Sequence, residues 1–160
     1  MDYKLEFKTA GDHQHRSVAF LVSRDIRNNI KAGFNSLDKN RKRHFYKRFD
    51  TWVSGKPYPD WYHRWDKSEF NGRFTMCFVF EIKATGDRLY GFLCNPKQSN
   101  RGYQLCVLVS HKEKFTYKTN IRNLENVEEI RLSLEVRKAI DDHYKDKEKK
   151  NEGPLDRTKS

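Results

Sequence analysis

No run in this chain approaches the roughly 18 consecutive apolar residues of a membrane-spanning helix, and the opening Met1-Asp2-Tyr3-Lys4 lacks the apolar stretch of a secretion signal. A soluble, cytoplasmic protein with no membrane partner is expected. Cysteine is scarce and unpatterned: Cys77, Cys94 and Cys106 are odd in number, each lies in an apolar run, and none belongs to a C-x-x-C pair. They read as buried free thiols rather than metal ligands. Carboxylates are sparse where a catalytic Mg²⁺ would need them, because the central strand-like segments offer only Glu81 and Asp87. His13-Gln14-His15 lacks a third ligand, and no G-x-S-x-G, phosphate-binding loop or H-E-x-x-H spacing occurs. Neither a metal nor another cofactor is implied.

Acidic residues as a whole fall short, with 22 Asp and Glu against 33 Lys and Arg, so the 160-residue chain carries a formal charge of +11. Such a balance favours a polyanionic partner, with nucleic acid the first candidate. Apolar residues reach only 36%, which limits the core, yet 11 Phe, 8 Tyr and 3 Trp are too many for a chain that never folds. The length suits one domain, expected over residues 1–144, with a charged flexible tail at 145–160.

Tyr3, Leu5 and Phe7 alternate with polar residues, the period of a half-buried strand. Val18, Leu21, Val22, Ile26, Ile30, Phe34 and Leu37 recur at helical spacing, although Val18–Val22 also suits a strand. After the capping residues Asn35-Ser36-Leu37-Asp38, the positions Phe45, Phe49, Trp52 and Val53 predict a second helix and hence a helical hairpin. The prolines of Lys56-Pro57-Tyr58-Pro59 and the aromatic Trp61–Trp65 read as a loop that packs. Phe74–Lys83, Arg88–Cys94 and Tyr103–Val109, separated by turn residues, predict a three-stranded antiparallel meander whose last, continuously apolar strand lies centrally. Leu124, Val127, Ile130, Leu134 and Ile140 predict a C-terminal helix. The expected fold is α+β, with helices on one side of a mostly antiparallel sheet.

Two basic clusters stand out. From Arg24 to Lys56 the chain has ten Lys or Arg against three Asp, with Arg41-Lys42-Arg43 at its centre. This reads as a phosphate-backbone contact or, equally, as a solvated helix face. The second is His111-Lys112-Glu113-Lys114-Phe115-Thr116-Tyr117-Lys118-Thr119, where alternation gathers Lys112, Lys114, Thr116 and Lys118 on one face. Arg88 and Arg73 on neighbouring strands are expected to reach that face. Cations with a phenol or imidazole suffice for metal-free cleavage of RNA through its own 2′-hydroxyl. The competing reading is a strand edge protected by lysines.

Phe74 to about Ile140 resembles the RelE/HigB-like toxins of toxin-antitoxin systems, especially the HigB-type, phage-derived branch. Gly86-Asp87-Arg88-Leu89-Tyr90 is similar to the family's arginine-bearing strand, and Val107-Leu108-Val109-Ser110-His111 with Lys114-Phe115-Thr116-Tyr117-Lys118-Thr119 to its apolar strand and Lys-Lys-Thr-x-Lys-Thr motif. Where the family places lysines seven and nine positions ahead of the arginine, this chain has Glu81 and Val79. The resemblance implies a RelE-like fold and an endoribonuclease that cuts mRNA on the ribosome and is neutralised by a small antitoxin. Arg88 and Lys112 would hold the scissile phosphate, Tyr117 or His111 would transfer the proton, and Arg73, Lys114, Lys118, Arg41, Lys42 and Arg43 would bind RNA. The alternatives are a non-catalytic basic RNA- or DNA-binding module, with Trp61, Tyr62 and Trp65 as stacking surfaces, and a mobile-element protein that binds an acidic host partner.

Overall fold

A computed structural model describes residues 2–9, 15–55, 60–98, 100, 102–113 and 120–152, with side chains as far as Lys145. Its centre is one six-stranded sheet in the order β1-β2-β6-β5-β4-β3. The strands are β1 (Lys4–Phe7), β2 (Ser17–Val22), β3 (Tyr62–Arg64), β4 (Cys77–Ile82), β5 (Asp87–Cys94) and β6 (Leu105–Glu113). The helices are α1 (Ile30–Asn35), α2 (Lys39–Val53), α3 (Ile121–Leu132) and α4 (Leu134–Glu152). All neighbouring pairs are antiparallel except β2 and β6, which run parallel.

The α+β class matches the expectation. β4, β5 and β6 do pair consecutively and antiparallel, but inside a six-stranded sheet with four helices, so the expected RelE-like arrangement around a three-stranded meander is not matched, and three further points differ. First, the helices lie on both faces of the sheet. Val18, Phe20, Phe78, Phe80, Leu89 and Leu108 pack with Ile30, Phe34, Phe45, Phe49 and Trp52 of α1 and α2. Ala19, Leu21, Val79, Tyr90, Val107 and Val109 pack instead with Leu124, Val127, Ile130, Val136 and Ile140 of α3 and α4. Every residue from Val18 to Leu21 and from Leu105 to Val109 is buried. A strand that is apolar on both faces must be covered on both.

Second, the same two-sided burial decides the ambiguous stretch after Ser17 in favour of a strand. An amphipathic helix would leave one side of Ser17–Val22 wet, whereas β2 lies inside the sheet between β1 and β6. Third, the loop expected at Trp61–Trp65 contains the short edge strand β3, and the single C-terminal helix expected over Leu124 to Ile140 is two helices, α3 and α4, separated at the extended Ser133. Over the first part of the expected tail, 145–152, α4 continues as helical backbone. Lys and Glu are good helix formers, so charge alone does not end α4. The rest of that expected tail, 153–160, lies outside the described residues.

Two close approaches depend on glycine. A Cβ on Gly91 would fall 2.1 Å from the Val107 carbonyl oxygen, where the β5–β6 register slips at Tyr90/Gly91. One on Gly33 would fall 2.5 Å from the Cβ of His111, so α1 rests directly on β6. Cys77 and Cys106 are buried free thiols, as expected, and Cys94 is partly exposed. Burial pushes the Cys94 thiol up to about 12.

The bend between β2 and α1 is tied down by Asp25. Its carboxylate accepts from the Arg27 backbone N–H at 2.9 Å and from the Arg27 guanidinium at 2.8 Å, with the Tyr3 hydroxyl at 3.1 Å. The Arg27 hydrogen bonds hold the Asp25 carboxyl down at about 2, below its ordinary 3.8. A carboxylate with a depressed folded-state pKa adds stability above its unfolded value and loses it as pH falls through the folded one. Arg27 is 41% exposed, so screening limits the contribution to about 1 kcal/mol. The stability difference between wild type and Asp25→Asn is therefore expected to vanish as pH falls from 4 toward 2, read by urea unfolding at each pH. A difference that persists at the acid end would assign the stabilisation to packing instead.

Candidate nucleic-acid interface

The site begins with how α2 is fixed to the sheet. Asp38 caps the helix by accepting from the Arg41 backbone N–H at 2.8 Å. From the first turn, Arg41 reaches back to Asp38 at 3.3 Å and down to Asp87 at 3.3 Å. Asp87 opens β5 and has no exposed surface. Its other oxygen contacts His111 Nε2 at 2.8 Å, and the Thr85 hydroxyl donates to the oxygen that Arg41 holds. A buried carboxylate is tolerable only when paired and hydrogen-bonded, and here α2, β6 and the β4–β5 turn each supply a partner.

Asn29 completes the junction. β2 accompanies β6 only as far as Leu108, and beyond it the Asn29 side chain accepts from the His111 N–H at 2.9 Å and donates to the His111 carbonyl at 3.2 Å. A side-chain amide thereby stands in for the missing strand.

The outward side of α2 is basic. Lys39, Arg43 and Lys47 are exposed and Lys42 half-buried, and among the described residues none of the four forms an ion pair. From residue 30 to 53 there are seven Lys or Arg against two Asp. The opposite layer, 121–145, holds five against six Asp or Glu. Its acids neutralise nearby arginines: Glu129 meets Arg27 at 2.6 Å, Glu125 meets Arg73 at 3.1 Å, and Glu128 meets Arg131 at 2.6 Å. Of the two helical layers, the cationic excess therefore belongs to the α1–α2 side.

Beside α2, a cleft of about 400 Å³ opens toward the β4–β5 turn, with Arg41, His44, Arg48, Trp61 and Lys83 in its lining. The Arg48 guanidinium lies over the Trp61 ring at 5.8 Å and donates to the Glu81 carbonyl. Its burial makes the charged form of Arg48 harder to hold, moving its pKa down.

The expected catalytic residues are divided. Arg88 and Lys112 face one another across β5 and β6, so alternation placed them correctly on one side. Arg88 is only 8% exposed, however, and its Nε lies 3.6 Å from the carboxylate of Glu81, its register partner on β4. His111 turns to the other side, against Asp87 and α1, and so does not share a pocket with Arg88. Arg73 does not reach them either. β4 starts only at Cys77, opposite Phe92, so Arg73 precedes the strand at the end away from Arg88 and pairs with α3. Of the first basic cluster, Arg41 turns inward while Lys42 and Arg43 remain available. Lys114, Tyr117 and Lys118 lie outside the described residues. Of the aromatics, Trp65 is core at 3% exposure, Tyr62 packs on Phe78 and Phe80, and Trp61 lines the cleft.

No family model matches the chain, and neither the curated proteins nor the solved structures contain a match. No described helix is long and apolar enough to cross a membrane.

Asp87→Ala removes the partner of Arg41, His111 and Thr85 at once. Breaking a buried pair from one side costs about 3–5 kcal/mol, so this variant is expected to lose that much in urea unfolding. A loss under about 1 kcal/mol would mean that the apolar contacts of α2 suffice without the carboxylate.

Proposed function

We propose that the protein is a non-catalytic module that binds the phosphate backbone of RNA or DNA through the outward face of α2. The observation that carries this reading is the row Lys39, Lys42, Arg43 and Lys47, unpaired among the described residues, on the basic side of a molecule whose other helix layer neutralises its own charge. About four phosphate contacts would make affinity fall roughly a hundredfold between 50 and 200 mM salt, by release of condensed counterions.

A second reading, a toxin-like endoribonuclease of the RelE/HigB kind acting on mRNA at the ribosome and held by a small antitoxin, is supported by the meander and by the register of Arg88 with Lys112. Against it stands Glu81, which occupies a position where the resemblance calls for lysine and lies close enough to Arg88 to neutralise it. A buried, paired guanidinium is a poor clamp for a bent phosphodiester. Binding to an acidic host protein would use the same cations, but no described feature selects it.

The double variant Lys42→Glu/Arg43→Glu is expected to weaken binding of labelled RNA at least tenfold at low salt and to flatten the salt dependence. A transcript incubated with the wild-type protein and ribosomes is expected to stay whole. Unchanged affinity in the variant would remove the α2 reading. New 5′ ends that disappear in Arg88→Ala would establish the nuclease in its place.

A further inference from the structure

The cleft beside α2 differs from the rest of the basic face because it contains a ring. Arg41, His44 and Arg48 recur at three- and four-residue spacing and turn the inner edge of α2 toward it, while Lys42, Arg43 and Lys47 look outward. Trp61 is half-buried, its ring 5.8 Å from that of Phe80 and inclined by 35°. Arg48 is held over the indole from α2 and anchored to the Glu81 carbonyl, so this cation and ring are placed together before any ligand arrives. Ile82 and Ala84 complete an apolar wall, and His44 and Lys83 stand exposed at the mouth. Among the described residues of the lining, the acidic side chains are Asp60 and Glu81, and Glu81 leans toward Arg88.

An aromatic wall with a cationic rim, continuous with a phosphate-binding helix, is suited to single strands. In a duplex the faces of the bases are stacked on one another and offer nothing to an indole, whereas an unstacked base presents an entire face. We propose that the α2–Trp61 cleft receives one splayed base of a single-stranded nucleic acid, with the flanking phosphates on Lys83, His44 and the outer cations of α2. This rests on the reading of α2 as the backbone-binding face and adds to it a preference for single strands. The expected consequence is discrimination by strandedness rather than by sequence, because every base has a face to stack.

The test compares a fluorescein-labelled oligouridine of about twelve nucleotides with an RNA duplex of the same length, by anisotropy at fixed salt. Wild type is expected to prefer the single strand. Trp61→Ala should weaken oligouridine about tenfold and leave the duplex unchanged, and Trp61→Phe, which keeps a ring, should recover most of the loss. Lys42→Glu/Arg43→Glu should weaken both probes alike. If Trp61→Ala leaves oligouridine binding intact while the α2 variant weakens both probes, the cleft proposal fails and the basic face stands. If neither variant changes either probe, both fail. Should Trp61→Ala unfold, the exposed Lys83→Glu decides: a fall in the ratio of single-strand to duplex affinity supports the cleft, and an unchanged ratio overturns it.

Discussion

A carboxylate with no exposed surface fixes the arrangement. Asp87 ends the β4–β5 turn at the centre of a junction where α2, β6 and the turn meet, and it is satisfied from all three by Arg41, His111 and Thr85. Such a charge is expensive to remove from water, so each partner is held as firmly as it holds. One result is local order at the end of the sheet, where Asn29 replaces the strand pairing that β2 does not extend. The other is the rotation of α2. With Arg41 pointing down and Phe45, Phe49 and Trp52 against the sheet, Lys42, Arg43 and Lys47 face away from it.

The polarity of the molecule follows from the same sheet. Its central strands are apolar on both sides and require two helical covers, and the two covers differ in charge. On the α3–α4 side acids and bases alternate and pair. On the α1–α2 side the acids are few, and Asp38 and Asp87 are consumed by a single arginine, leaving the neighbouring cations without partners among the described residues. Each pairing across the surface is worth little in energy. What matters for function is the distribution, since an unpaired row of cations sets up a field that a polyanion meets from a distance.

Much of this was readable from residue order, and the exceptions have physical causes. The meander was legible because its strands are long, rich in β-formers and divided by turn residues, and β6 was placed centrally by its unbroken apolar run. β2 was ambiguous because Val18, Leu21 and Val22 satisfy a helical period as well as a strand. The position of α3 and α4 on the far face was not legible from their own pattern, which shows one apolar side without saying which side of the sheet receives it. Within the site, alternation set Arg88 beside Lys112. That the arginine would be occupied by Glu81 was not legible, because it depends on turn length: the four-residue turn 83–86 pairs Ile82 with Asp87 and hence Glu81 with Arg88, whereas a two-residue turn at Thr85-Gly86 would have set Lys83 opposite Arg88. The inward turn of Arg41 and the contact of His111 with Asp87 depend on tertiary contacts from α1 and α2, which no local pattern encodes.

The central claim is that the basic helical layer, and not its opposite, meets a nucleic-acid partner. Its most direct measurement is the perturbation of backbone amide resonances on titration with a short unlabelled RNA strand. The account predicts shifts confined to α2, the β4–β5 turn and the vicinity of Trp61, with α3 and α4 silent. Shifts centred on α3 and α4, or none at concentrations that saturate the basic face in other assays, would contradict it.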